Sequence, residues 1–115
     1  MATTVETNEL GASLDDVSCE TLSVEAFEER KRGLQPGEEL IAIRRDATTV
    51  MLPCFQADAT ARRINFLMGA SARPVVALRR WRTSSPHLGG RTPLQVLGEL
   101  KPAEMIQFAQ NHMVG

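Results

Sequence analysis

Tyrosine is absent from the 115 residues, and aromatic side chains are limited to four Phe and one Trp, so the core must be built from aliphatic residues. Apolar residues still make up 43% of the chain, enough to fold, and the length fits one domain rather than two. Long apolar runs are missing. The uncharged apolar stretches, such as 64–72 and 74–78, fall far short of the roughly 20 residues that a membrane span requires. The N-terminus has neither the basic flank nor the apolar segment of a signal peptide. The expectation is a cytoplasmic protein with no membrane partner.

Cysteine is scarce. Cys19 and Cys54 stand alone, without a CxxC pair or a histidine at ligand spacing, which argues against a structural zinc site and fits a reducing compartment. Two reduced thiols are expected, with Cys54 buried behind Met51-Leu52, although a disulfide between them stays open. Catalysis needs a nucleophile, a base or a metal set, and the chain offers only His87, His112 and these two thiols. His87, beside Pro86, reads as a surface residue. Asp15-Asp16 and Glu38-Glu39 are adjacent pairs that point different ways on any regular element, so they read as solvated acids. Gly89-Gly90 lacks the context of a phosphate-binding loop. The reading is therefore of a protein that is not an enzyme and carries no cofactor or metal.

Charge of one sign is missing from two stretches. Residues 1–29 hold eight acids and no Lys or Arg, whereas 30–115 hold all thirteen basic residues against six acids. Between 62 and 91 there are seven arginines and no acid, which concentrates positive potential on one stretch of surface. A nucleic-acid backbone, an acidic partner protein or the chain's own acidic arm would each satisfy it. Arg62, Arg63, Arg79 and Arg80 are the candidates for nucleic-acid contact. Sparse aromatics argue against stacking of single strands.

The fold class read from the chain is α+β: a short N-terminal helix and a β-hairpin followed by a compact C-terminal helical bundle. Residues 1–22, rich in Thr, Ser, Asp and Glu, read as a flexible acidic arm. Ser23 caps a helix over 24–32 that stops at Gly33, and the short helix plus hairpin occupy 23–56. The hairpin pairs about 39–45 with 49–53 through an Asp46-Ala47-Thr48 turn and is closed by Pro53. From 57 to 115 the period becomes helical. A helix over 58–69 turns Ala61, Ile64, Leu67 and Met68 inward. Pro74, Pro93 and Pro102 then open three further helices. Their inward residues are Val75, Leu78 and Trp81, then Leu94, Val96 and Leu97, then Met105, Ile106, Ala109 and Met113.

Between the second and third of these helices, Pro86 and the Gly89-Gly90 pair force a tight excursion, with Leu88 as its only apolar plug. The run Trp81, Thr83, Pro86, Leu88, Gly89, Gly90, Arg91, Thr92, Pro93, Leu94 and Leu97 resembles the C-terminal toxin-binding domain of the Xre/MbcA/ParS antitoxins. Residues 60–112 share the resemblance, and 81–97 are its dense part. Leu52-Pro53-Cys54-Phe55-Gln56 is similar to a (Y/F)PxFQ stretch found ahead of that domain in some members. The chain departs from the pattern at Gln95, where an acid is common, in a shortened loop before Leu88, and in having no second helix within 1–38 to complete a helix-turn-helix.

The resemblance implies an antitoxin or immunity protein of bacterial origin. Its partner would be a cognate RES-domain toxin that consumes NAD or uses it for ADP-ribosylation, and the toxin would be neutralised by occlusion of its active site. Homodimerisation is a further expectation of the family. The partner-binding residues expected are Trp81, Arg82, Pro86, Leu88, Gly89, Gly90, Arg91, Pro93, His112 and Met113, with 112–115 reaching beyond the last helix toward the toxin's pocket. For Trp81 and Leu88 the residue-level reading leaves core and partner surface both open. A DNA-binding regulator using the arginine-rich 62–91 surface is the alternative.

Overall fold

The computed structural model describes residues 19–114, with side chains from Glu20 onward. Strand β1, Cys19–Ser23, pairs antiparallel with β3, Thr49–Pro53, in a register that sets Leu22 opposite Val50 and Cys19 opposite Pro53. On the other side of β3 lies the two-residue β2, Ile43–Arg44, so the strand order is β1-β3-β2. Residues 19–22, assigned from composition to a flexible arm, thus form a strand instead, because Leu22 packs into an apolar cluster with Leu40, Val50 and Leu52. The rest of that arm, 1–18, lies outside the described residues.

Helix α1, Val24–Arg32, follows β1 directly. Ser23 Oγ accepts from the Ala26 N–H at 3.1 Å, and Lys31–Glu28 and Arg32–Glu29 pair one turn apart. The helix buries no residue fully, but Phe27 leans on the Leu40 cluster and covers one face of the sheet. At Gln35-Pro36-Gly37 the chain reverses, with Gly37 at φ 83° and the Glu38 N–H on the Gln35 carbonyl.

The hairpin is present, and its first strand is shorter than the sequence suggests. Only 43–44 pair with β3, while the backbones of Glu39 and Ile41 are bonded elsewhere. The Glu39 N–H donates to the Arg62 carbonyl, and both polar groups of Ile41 meet the side-chain amide of Gln56. Asp46 Oδ1 closes the turn by accepting from the N–H groups of Thr48 and Thr49, both at 2.9 Å.

A 3₁₀ turn, Cys54–Ala57, leads into α2, Ala59–Met68, capped by Asp58 and stopped by Gly69 at φ 69°. Helices α3, Pro74–Trp81, α4, Pro93–Val96, and α5, Pro102–His112, each begin at proline, whose missing N–H costs nothing there. Thr92 and Gln95 form a reciprocal capping box at α4, so glutamine supplies the acceptor at the position where the resembling family often has an acid. Ile41 and Ile43 share one buried cluster with Ala61, Ile64, Leu78, Trp81, Val96, Met105 and Ala109. The sheet therefore lies between α1 and the helices, which is why residues 40–43 show no polar alternation. No helix is long and apolar enough to cross a membrane among the described residues.

Candidate functional site

The segment from Trp81 to Pro93 divides between interior and surface. Trp81 has 0% exposure, sits 5.0 Å from Phe55 ring to ring, and donates its indole N–H to Asn65 Oδ1 at 2.8 Å. Pro93 and Met113 are buried too, so three of the ten expected partner contacts belong to the core. Leu88 is half-buried and packs against that core as the plug of its loop, and Arg82 is half-buried as well. Pro86, Gly89, Gly90, Arg91 and His112 are exposed, and so is His87.

The loop's shape is set by its own bonds. The Ser85 N–H donates to the Arg91 carbonyl, closing the neck, while the Ser85 carbonyl accepts from the N–H groups of Leu88 and Gly90. Gly89 and Gly90 stand at φ 68° and 85°, a backbone that other residues adopt only with strain. Arg91 reaches Glu99 at 2.9 Å across the surface. The tip meets the end of α5 through an imidazole stack: the His87 and His112 rings lie 4.0 Å apart at 17°, with Phe108 4.9 Å from His112. Beside them is a cleft of about 270 Å³ lined by Arg80, Thr83, Ser84, Ser85, Pro86, Pro93, Phe108, His112 and Met113.

The C-terminal turn does not project. Met113 is tied by its N–H to the Ala109 carbonyl and by its own carbonyl to Arg80 Nη1, and its apolar side chain is buried. Of the tail expected to reach outward, Val114 is exposed at 43% and Gly115 lies outside the described residues.

The arginines named for nucleic-acid contact are divided between α2 and α3. Arg62 is bound to Glu38 at 3.2 Å and to the carbonyls of Gln56 and Ala57. Arg62, Arg63 and Arg80 line three different clefts. Arg79 and Arg80 both lie on α3 and neither is free.

Glu38 and Glu39, read as solvated acids, are structural instead. Glu38 accepts from the Gln35 N–H and pairs with Arg62; these contacts hold its carboxyl below the usual range, the Gln35 bond contributing most. Glu39 Oε1 accepts from the Ser71 N–H at 2.8 Å. Cys54, expected to be buried, is an exposed free thiol in a cleft of about 360 Å³, because the turn after Pro53 swings it off the sheet. Among the described residues no group of three or more His, Cys, Asp or Glu converges as a metal site.

Sequence reasoning missed the buried amides. Asn65 Nδ2 donates to Gln56 Oε1 and to the Glu39 carbonyl, so Ile41, Gln56, Asn65 and Trp81 form one hydrogen-bonded chain through the core. Its signal was the Asn65 position on the inward side of a helix, one residue after Ile64. Compared with protein-family models, with curated proteins and with solved structures, the chain finds no match.

Proposed function

We propose that this chain is an antitoxin or immunity protein that acts by binding rather than by catalysis. Its partner is a cognate toxin of the RES-like class, NAD-consuming or ADP-ribosylating, and neutralisation comes from covering the toxin's active site. The observation that carries this reading is the Pro86–Arg91 loop, which is locked by its own backbone bonds, anchored from below by Leu88 and exposed along its rim beside His112. A surface already in its bound shape loses little entropy on docking, and a few anchors can then dominate affinity. With Trp81, Pro93 and Met113 in the core, the docking residues reduce to Pro86, Gly89, Gly90, Arg91 and His112, with Arg82 and Leu88 at the margin.

Co-expression with the neighbouring gene tests it, scoring growth and co-purification together. A neighbour that arrests growth alone, is harmless in the pair and co-elutes with the chain supports the reading. Arg91→Glu is then expected to weaken co-elution while leaving the fold intact. A harmless neighbour with nothing co-eluting overturns it and moves attention to salt-dependent DNA binding by the 62–91 surface, the competing reading.

A further inference from the structure

The sheet has two unlike edges. On the far side of β3, β2 is two residues long and both polar groups of Ile41 are taken by Gln56, so little ladder is left there. On the near side β1 runs for five residues, and no strand among the described residues lies beyond it. The register fixes which of its groups are open. The Val24 N–H donates to the Thr48 carbonyl and the Arg45 N–H to the Thr49 carbonyl, so even-numbered residues of β3 bond to β1 and odd-numbered ones to β2. Glu20 and Leu22 therefore direct their backbone groups to β3, whereas the N–H and carbonyl of Thr21 point away from it.

We propose that this edge pairs with the same edge of a second copy, joining two three-stranded sheets into one of six strands through antiparallel β1 segments. The occupant is a second copy because the edge matches itself. A twofold pair centred on Thr21 exchanges backbone hydrogen bonds between the two Thr21 residues and sets Glu20 opposite Leu22 of the second copy. Thr21 is exposed, and a threonine pair is favourable on a sheet surface. Neither proline nor lysine, residues that commonly close an edge, occurs in 19–23. The charge of the covering helix matches in the same way. Arg30 Nη1 returns to Glu20 Oε1 at 2.7 Å, so α1 runs back antiparallel to β1, resting on both β1 and β3. In the pair the two copies of α1 run antiparallel on one face. The half of each that carries Glu25, Glu28 and Glu29 then lies beside the half of the other that carries Arg30, Lys31 and Arg32. None of these residues belongs to the Pro86–Arg91 loop, so the pairing is independent of the antitoxin reading.

Sedimentation of the full chain from micromolar to millimolar concentration tests the pairing, together with amide exchange. The mass is expected to double as concentration rises. The Thr21 amide, open in one copy and bonded in two, is expected to exchange about tenfold more slowly once about nine-tenths of the chain is paired. The Leu22 amide, bonded within the sheet, serves as the reference. Thr21→Lys and Thr21→Glu change an exposed side chain and leave the bonds to β3 in place. Each opposes like charges across the pair and should show the single-chain mass, whereas an equimolar mixture of the two should regain the doubled mass. A single-chain mass at every concentration overturns the proposal, whether the Thr21 amide is open or is protected by a segment of its own chain. A doubled mass that leaves Thr21 exchange unchanged, or that survives in both variants, places the contact elsewhere and overturns it too. So does a mixture that keeps the single-chain mass.

Discussion

Asn65 Oδ1 accepts from the indole N–H of Trp81 at 2.8 Å, deep between α2 and α3. The same amide passes its own hydrogens to Gln56 and to the Glu39 carbonyl, so that one bond joins the helical half of the molecule to the backbone beside the sheet. Trp81→Phe removes the donor and leaves a buried acceptor unpaired. Its expected cost is about 1–3 kcal/mol from the lost bond, with a further loss from the smaller ring. A double-mutant cycle with Asn65→Leu, followed by urea unfolding, should return a coupling of about 0.5–3 kcal/mol. Additive single effects would mean that the bond contributes nothing.

Gly90 stands at φ 85° with open space where a Cβ would sit. Gly90→Ala therefore meets no clash and should cost only the backbone strain, about 1–2 kcal/mol, visible as a lower Tm. Asparagine, which tolerates this region better, should cost less. If alanine and asparagine are equally silent, the loop backbone is adaptable rather than fixed.

Glu38 titrates below the ordinary carboxylate range in the folded chain, because it accepts from the Gln35 N–H and faces Arg62. The unfolded chain consequently binds more protons in acid. The contribution of Glu38 is full above about pH 4.3 and drains as pH falls through the folded value. Glu20, held down by Arg30, and Asp46, held down by the turn's N–H groups, act in the same direction. Denaturant unfolding between pH 3 and 7 should show stability falling toward acid, with a shallower slope in Glu38→Gln. Equal slopes would remove Glu38 from the account.

Cys54 is exposed and unpaired. It should be alkylated in the native protein within the time of the reaction in denaturant, as read by peptide mapping. Protection until unfolding would return it to the interior.

Met113→Ala is expected to cost about 2–5 kcal/mol, because this side chain fills the core at the end of α5. Truncation of 110–115 would therefore report on folding as much as on docking. Val114→Glu is the cleaner probe of any contact beyond the helix, since Val114 is exposed. It should leave the free energy of unfolding within about 0.5 kcal/mol of the parent.

The regular elements were legible because their signals are local. Ser23 and Gly33 bound α1, and the prolines at 74, 93 and 102 each open the helix expected of them. What escaped the sequence was non-local. Strand β1 exists because its partner lies about thirty residues downstream at β3, and no pattern within 19–23 reveals that. Asn65 and Gln56 look like surface amides until the carbonyls they serve come from Glu39 and Ile41. Leu88 was legible as a plug. The burial of Trp81 was visible in its helical stripe, yet the motif containing it pointed outward. The His87–His112 stack joins residues from a loop and a helix end that sequence spacing does not relate.

The amide of Gln56 occupies the place a neighbouring strand would take beside Ile41, accepting from its N–H at 2.8 Å and donating to its carbonyl at 2.7 Å. Of the apolar, β-prone run Leu40-Ile41-Ala42-Ile43, only Ile43 pairs with β3, and all but Ala42 are buried. A glutamine side chain thus does for Ile41 what a ladder partner would do. Replacing Gln56 would leave both polar groups of Ile41 and one hydrogen of the Asn65 amide without this partner in the interior, a loss felt directly as folding stability.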